Sequence, residues 1–210
     1  MRLGEFVSAL FVASALAVLP GLAHAETGSQ GKIKGRFDSP PPGAASAIVY
    51  DRTLPPAGYV DFCGRNEPEC QFAAGRLELL PVTTESWDKI ARVNREVNRA
   101  IRPASDQELY GVPDYWTYPV ATGDCEDFVL LKKRELADLG VSPDELLITV
   151  VLDEHGDGHA VLTVPTDKGD FVLDNRRAEI LRWDETGYTF LKRQSQEQAN
   201  QWVSLQQGPS

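Results

Sequence analysis

The 210-residue sequence is poor in cysteine, histidine and positive charge. Lys and Arg number 21 against 31 Asp and Glu, which gives a formal net charge of -10 at pH 7. An acidic chain repels phosphate backbones, so the composition argues against nucleic-acid binding. With three cysteines and three histidines, the chain offers no cluster of four closely spaced zinc ligands.

Long apolar runs are also missing after residue 23, since none approaches the roughly 20 residues that cross a bilayer. The N-terminus does contain one run, from Phe6 to Ala23, which follows Arg2 and ends at the small-residue site Ala23-His24-Ala25. This pattern predicts a signal peptide over residues 1–25, cleaved after Ala25, and a periplasmic or secreted product. An uncleaved membrane anchor is the alternative.

Composition divides the remainder of the chain into a lead-in and one domain. Residues 26–45 are rich in Gly, Ser and Pro and predict a flexible lead-in, while residues 46–210 suit a single domain. The first part of that domain, residues 46–82, is broken by prolines and glycines and predicts irregular structure. Cys63 and Cys70 lie there with a loop spacing that predicts a disulfide bond, which leaves Cys125 as the free thiol.

Two stretches have the periodicity of helices. The first is capped by Thr84 or Ser86 and ends before Pro103, with apolar residues at three- and four-residue steps. Asn94 and Asn98 on this helix are interpreted as a polar stripe or as bonds to a neighbouring loop. The second helix follows the predicted N-cap Asp124, starts at Cys125 and ends at Gly140.

The following segments predict strands, and their near-continuous apolar character predicts a sheet covered on both faces. The strands are expected at residues 146–152, 159–164 and 171–174, with another near 187–191 and a weakly ordered end. Together with the helices they predict an α+β fold, in which the Cys125 helix covers one face of an antiparallel sheet.

Cys125 combines two opposing electrostatic influences. The N-terminus of a helix stabilises a thiolate and lowers the thiol pKa. The neighbouring carboxylates Asp124, Glu126 and Asp127 raise the thiol pKa, unless they point away or are neutralised by a cation or basic group. A cysteine nucleophile also needs a base, and that base needs an orienting partner.

His159 is the histidine with such a partner. If the strands around the turn at residues 166–169 form a hairpin, Val161 faces Asp174 and Arg176 faces His159. His159 and Asp174 are then diagonal neighbours on one face of the sheet, within side-chain reach. His155 lies in a Gly/Asp turn and has no comparable partner. The predicted catalytic residues are therefore Cys125, His159 and Asp174.

Several motifs resemble those of the bacterial transglutaminase-like cysteine peptidases, over about residues 55–177. The motifs are Gly123-Asp124-Cys125-Glu126-Asp127-Phe128 with Lys132 and Leu136, then His159-Ala160-Val161-Leu162, then Leu173-Asp174-Asn175. The resemblance implies a papain-like, transglutaminase-like core in which the nucleophile helix packs on an antiparallel sheet.

The resemblance also implies partners and a metal. It implies that Asp124, Glu126 and Asp127 bind Ca²⁺, an ion that prefers oxygen ligands. It implies a monomeric enzyme that cleaves a protein substrate such as a large surface adhesin, under the control of an inner-membrane cyclic-di-GMP receptor. Trp116 is a candidate for the oxyanion site or the cleft wall, with a core aromatic as the equal alternative.

Three other functions compete with peptide cleavage. The same three residues serve a protein-glutamine acyltransferase, which passes the acyl group to an amine instead of water. A non-catalytic module that binds calcium or a partner belongs to a different class, and the intact Cys/His/Asp set argues against it. A structural periplasmic protein would have an inert, buried Cys125.

Overall fold

A computed structural model describes residues 46–71, 79–197 and 201–207 of the chain. The predicted signal peptide at residues 1–25 and the lead-in at residues 26–45 lie outside the described residues, so both stay predictions. None of the described helices is long and apolar enough to cross a membrane.

The described residues form five α-helices and nine strands, numbered here in chain order. The helices are α1 (Ala57–Arg65), α2 (Glu67–Cys70), α3 (Thr84–Ala100), α4 (Asp106–Leu109) and α5 (Cys125–Asp138). The strands are β1 (Arg52–Thr53), β2 (Arg102–Pro103), β3 (Thr122–Gly123), β4 (Leu147–Leu152), β5 (Gly158–Thr166), β6 (Gly169–Leu173), β7 (Leu181–Arg182), β8 (Thr189–Gln194) and β9 (Trp202–Ser204).

Seven of these strands form one sheet in the order β1-β9-β8-β4-β5-β6-β7, and every neighbouring pair in it is antiparallel. Strands β2 and β3 form a separate parallel pair just before α5. Helices α3 and α5 pack together, and α5 lies against β5. The predicted α+β class with an antiparallel sheet is therefore confirmed.

The hairpin of β5 and β6 has the predicted register. Leu162 lies opposite Leu173 and Val164 lies opposite Phe171. Both strands are buried along almost their whole length, because the helices cover one face and a smaller apolar cluster around Val161 covers the other. This register brings the beginning of β5 and the residues just after β6 to the same end of the sheet.

Helix α3 is amphipathic as predicted, but its cap is one residue earlier than expected. Thr83 is the N-cap, and its hydroxyl accepts a hydrogen bond from the Ser86 amide at 3.1 Å. The Ser86 hydroxyl accepts from the Thr83 amide at 2.9 Å, so Ser86 completes the cap from the first turn. Trp87 and Ile90 are buried on the face that contacts the sheet and α5.

Helix α5 begins at Cys125 and ends at Asp138, and Gly140, with a φ of +84°, closes it as predicted. Asp124 occupies the N-cap position, but its side chain makes no capping hydrogen bond, contrary to the prediction. The Asp124 Oδ2 atom accepts from the Asp106 amide at 3.2 Å instead. A hydrogen bond to a residue 18 positions upstream thus takes the place of the local capping hydrogen bond.

The prediction of irregular structure for residues 46–82 is wrong at α1 and α2. Glycines at positions 58 and 64 give α1 a low intrinsic helix propensity, so the sequence pattern hides it. Packing stabilises it instead, since Tyr59 and Phe62 are buried in the core. A Cβ atom at Gly58 would lie 2.3 Å from Trp116 Cδ1, so this close approach requires glycine.

The expectation of a weakly ordered C-terminal end is wrong at β9. This strand pairs with β8 on one side and β1 on the other. Trp202 is 1% exposed, and its ring centroid lies 5.3 Å from that of Tyr59. The burial of one large aromatic residue therefore fixes a segment that sequence alone leaves ambiguous.

Cys63 and Cys70 form the predicted disulfide bond, with Cα atoms 5.7 Å apart, and it links α1 to α2. Replacing both residues by serine is expected to lower the free energy of unfolding by about 2–3 kcal/mol, because the unfolded chain regains the entropy of an eight-residue loop. Urea denaturation of the oxidised wild type, the reduced wild type and the variant measures this. Equal midpoints in all three samples would contradict the expectation.

Candidate active site

His159 and Asp174 meet at the end of the β5–β6 hairpin. His159 is the second residue of β5 and Asp174 directly follows β6. His159 Nε2 lies 2.9 Å from Asp174 Oδ1, and both side chains are almost fully buried. Burial raises the pKa of Asp174, but hydrogen bonds from His159, the Arg176 amide and Tyr188 outweigh it and hold the pKa at about 2.

The ionised Asp174 decides which imidazole nitrogen carries the proton. A carboxylate only accepts hydrogen bonds, so Nε2 must be the donor and Nδ1 is left unprotonated in neutral His159. Nδ1 is buried and has no hydrogen-bond partner among the described residues. It is therefore a free proton acceptor held in a fixed direction.

Asp174 is held from three further directions. Its Oδ1 also accepts from the Arg176 amide at 2.9 Å, and its Oδ2 accepts from the Tyr188 hydroxyl at 2.7 Å. Its backbone carbonyl accepts from Asn98 Nδ2 on α3 at 2.8 Å. Asn94 Nδ2 reaches the Ala178 carbonyl in the same way at 3.4 Å, so the predicted bonds from these asparagines to a neighbouring loop are confirmed.

Cys125 is partly buried at the start of α5 and is a free cysteine. Its Sγ donates to Glu126 Oε2 at 3.1 Å. Burial and the Glu126 carboxylate raise the pKa of the thiol well above its usual value, whereas the Ala160 backbone amide lowers it. Since Ala160 directly follows His159, the thiol lies beside the strand that carries the imidazole.

The second histidine of the domain is placed very differently. The His155 side chain is 82% exposed in the turn between β4 and β5, and its nearest carboxylate is Asp153 at 3.9 Å. His155 therefore has neither the burial nor the close carboxylate partner that His159 has. The arrangement agrees with the choice of His159 made from the hairpin register.

Carboxylates gather next to Cys125 in two groups that share Asp106. Asp106, Asp124 and Asp127 form one, and Asp106, Asp114 and Glu126 form the other, each with ligand atoms within 4.8 Å of one another. The predicted set of Asp124, Glu126 and Asp127 is thus divided between them. Asp106 lies 18 residues upstream of Asp124, and no sequence spacing connects them.

The first group has the form of a cation site. Each carboxylate has one oxygen held by a backbone amide: Asp106 by Tyr115, Asp124 by Asp106 itself, and Asp127 by Thr117 at 2.8 Å. The other oxygens, Asp106 Oδ1, Asp124 Oδ1 and Asp127 Oδ2, are buried without a hydrogen-bond partner among the described residues. One oxygen of each carboxylate lies within 4.8 Å of the others, and each residue has an unpartnered buried oxygen, which suits a hard cation such as Ca²⁺.

Burial raises the pKa values of two of these carboxyl groups. Burial, followed by the effect of Asp124, raises the pKa of Glu126 to about 8. Burial also raises the pKa of Asp127 to about 7, although the Thr117 amide opposes the shift. Groups of this kind bind protons near neutral pH unless a cation replaces the protons.

Trp116 is 3% exposed and belongs to the main core, with its ring centroid 5.6 Å from that of Tyr59. Its indole N–H donates to Asp114 Oδ1 at 2.8 Å. Because the indole N–H already has an acceptor, the structure favours a role for Trp116 in the core over a role as a donor to the oxyanion.

Lys132 lies on α5, seven residues after Cys125, and is fully buried. Its Nζ has no hydrogen-bond partner among the described residues and lies 6.0 Å from the Phe128 ring centroid. Burial lowers the pKa of Lys132 to about 7, and the attraction of Asp174 offsets only part of this shift.

Replacing Lys132 by methionine is expected to raise the free energy of unfolding at pH 7 by about 1–4 kcal/mol. The unfolded chain keeps the Lys132 proton up to a pH of about 10.4, whereas the folded protein releases it near pH 7. Between these values the unfolded chain binds more protons, so wild-type stability rises with pH. The variant lacks this contribution, and its advantage shrinks from pH 7 to pH 9.5.

Urea denaturation of both proteins at several pH values tests this expectation. Lys133→Met is the matched control, because burial also lowers the pKa of Lys133 to about 7, but its ammonium group donates to the Pro143 and Leu146 carbonyls. Its loss removes two hydrogen bonds from a buried site, although the Pro143 carbonyl still accepts from the Leu146 amide, so Lys133→Met should destabilise the fold. A Lys132→Met protein that is less stable than wild type at pH 7 would contradict the expectation.

Comparison with known proteins places the chain in a family. The family model for the bacterial transglutaminase-like cysteine proteinases (BTLCP) matches residues 49–210. A search of curated proteins gave no match. Among solved structures, Legionella pneumophila LapG is similar at 27% identity, covering 55% of this chain and 65% of that chain, with a TM-score of 0.47.

The calcium-bound form of Legionella pneumophila LapG is similar at 20% identity, covering 72% of this chain and 91% of that chain, with a TM-score of 0.49. The first LapG match spans just under two thirds of that protein's length. The family model, by contrast, covers most of this sequence, including Cys125, His159 and Asp174. The chain therefore belongs to the bacterial transglutaminase-like cysteine proteinases.

Proposed function

We propose that the protein is a cysteine endopeptidase in which Cys125 is the nucleophile, His159 the general base and Asp174 the residue that orients the base. The observation that carries the proposal is the buried His159–Asp174 pair, which leaves Nδ1 of His159 without a partner. Cys125 lies at a helix N-terminus, beside Ala160, the residue that follows His159. Membership of a cysteine proteinase family supports the same assignment.

The chemistry follows from the positions of these groups. His159 accepts the thiol proton at Nδ1, and the Cys125 thiolate attacks the carbonyl carbon of a peptide bond. The backbone N–H groups at the start of α5 stabilise the oxyanion that forms. His159 then protonates the leaving amine, and a water molecule, activated by the same imidazole, hydrolyses the acyl-enzyme. Asp174 stabilises the imidazolium ion in both steps.

The carboxylates beside Cys125 fit a Ca²⁺ site made by Asp106, Asp124 and Asp127, with Glu126 and Asp114 next to it. Calcium held there would supply positive charge that offsets these carboxylates and would so lower the thiol pKa. Glu126 accepts the hydrogen bond of the thiol, which favours the proton on sulfur. The site thus couples the state of the nucleophile to calcium.

The family resemblance and the acidic, export-type sequence support the remaining parts of the proposal. The protein acts in the periplasm after removal of residues 1–25, as a monomer. Its substrate is an exported or surface protein such as a large adhesin, and an inner-membrane cyclic-di-GMP receptor controls access to it. Each of these statements depends on the family resemblance and on the N-terminal sequence pattern.

The test uses the protein from residue 26 onward, incubated with unfolded protein substrates and a fluorescent primary amine, in calcium and in EGTA. New peptide N-termini found by mass spectrometry, absent with Cys125→Ala, support an endopeptidase. Incorporation of the amine into glutamine side chains, without cleavage, would instead identify an acyltransferase. If the protein gives neither product but binds calcium tightly, the result would support a non-catalytic binding module.

A further inference from the structure

Tyr188 contacts both the orienting residue and the base of the proposed catalytic set. It lies just before β8, in a segment remote in sequence from both partners. Its hydroxyl donates to Asp174 Oδ2 at 2.7 Å, and its ring meets the His159 ring edge-on, with centroids 5.7 Å apart and planes at 85°.

We propose that Tyr188 is a positioning residue, which holds the Asp174 carboxylate and the His159 imidazole in the orientation needed for proton transfer. The inference deepens the proposed function and rests on it. It assigns Tyr188 no contact with substrate. It predicts that the hydroxyl of Tyr188, separately from its ring, sets the direction in which Nδ1 of His159 points.

The two oxygens of Asp174 explain why a second donor is needed. Oδ1 serves both His159 Nε2 and the Arg176 amide, so a small rotation of the carboxylate weakens the bond to the imidazole. The hydroxyl of Tyr188 fixes Oδ2 and thereby the plane of the carboxylate. The edge-on ring contact restricts rotation of the imidazole about its own axis.

Tyr188 is itself firmly held. Its amide donates to Thr186 Oγ1 at 3.1 Å, and the guanidinium carbon of Arg177 lies 5.3 Å from its ring centroid. Arg177 also donates to the Thr186 carbonyl at 3.3 Å, so the segment after Asp174 and the segment before Tyr188 are tied together. Burial and the Asp174 bond raise the pKa of Tyr188 to about 12, which keeps it a neutral donor.

The first measurement is the tautomer of His159, observed by ¹⁵N NMR in protein lacking residues 1–25. Wild-type His159 should be the Nε2–H form, and the exposed His155 supplies an internal reference. Tyr188→Phe keeps the ring and removes the hydroxyl, so the His159 nitrogens should shift toward a mixture of tautomers. Unchanged His159 shifts would overturn the proposal.

The second measurement is the rate at which iodoacetamide labels Cys125 in calcium, at one pH. Tyr188→Phe should slow labelling about tenfold, which is the effect of losing a hydrogen bond to a charged group. The control is Tyr118→Phe, because the Tyr118 hydroxyl also donates to a carboxylate, Glu69 Oε2 at 2.6 Å, away from the His159–Asp174 pair. Equal slowing in both variants would reduce Tyr188 to a structural residue.

The two measurements separate this inference from the proposed function. A tautomer shift with slower labelling in Tyr188→Phe supports positioning, whether or not a cleavable substrate is found. If wild-type Cys125 labels no faster than a free thiol, while the tautomer still shifts, the peptidase assignment fails and the structural effect of Tyr188 on His159 stands.

Discussion

The His159→Ala variant should cleave peptides and label with iodoacetamide about a hundred to ten thousand times more slowly than wild type. The reason is that the unpartnered Nδ1 of His159 is the proposed acceptor of the thiol proton, and the thiol lies against the backbone amide of the next residue, Ala160. Without it, the Cys125 proton stays on sulfur, hydrogen-bonded to Glu126. Labelling followed by mass spectrometry measures the rate without a known substrate.

The matched control for this prediction is His155→Ala. His155 is 82% exposed and belongs to the turn between β4 and β5, so its removal should change the labelling rate by less than twofold. Both variants should unfold at similar temperatures if the effect on rate is chemical. Equal labelling rates for His159→Ala and His155→Ala would remove His159 from the proposed mechanism.

The Asp106→Asn variant should lose most of its calcium affinity and, in EGTA, should be more stable than wild type. Asparagine can still accept the hydrogen bond from the Tyr115 amide, so the loop is retained. The Asp106 carboxylate, which has an oxygen within 4.8 Å of oxygens of Asp124 and Asp127, becomes an uncharged amide group. Calcium loses a ligand, but without calcium three crowded carboxylates become two.

Thermal unfolding in calcium chloride and in EGTA measures both effects. Wild type in calcium at a hundred times its dissociation constant gains about 2.7 kcal/mol, and Asp106→Asn should lose most of that gain. Asp88→Asn, at an exposed position on α3 outside both carboxylate groups, should behave like wild type in both buffers. A variant that is less stable than wild type in EGTA would contradict the cation-site interpretation.

The sequence predicted the His159–Asp174 pair because strand geometry is local. Side chains alternate along a strand, and a tight turn fixes which residues of a hairpin face each other, so the register of β5 and β6 followed from the position of one turn. The start of α5 at Cys125 and its closure by Gly140 also followed from local signals. These features need no knowledge of the rest of the fold.

The features that sequence analysis missed depend on contacts between distant segments. Asp106 and Tyr188 belong to the site only because the folded chain brings them to Asp124 and Asp174. Helix α1 carries two glycines in nine residues and is held by packing against Trp116, which no local propensity records. The side chain of Asp124 likewise makes no capping hydrogen bond because it accepts one from the distant Asp106 amide instead.

The position of β9 between β1 and β8 affects how the chain reaches its native state. The sheet joins strands from both ends of the domain, since Arg52 pairs with Val203 and Lys192 pairs with Ser204. Such pairing between distant segments forms late, after the local helices and the β4–β6 meander. During synthesis the sheet therefore stays incomplete until Trp202 emerges. A chain with this topology therefore completes its sheet only when almost the whole length of the domain is available, because β9 is the strand that joins β1 to β8.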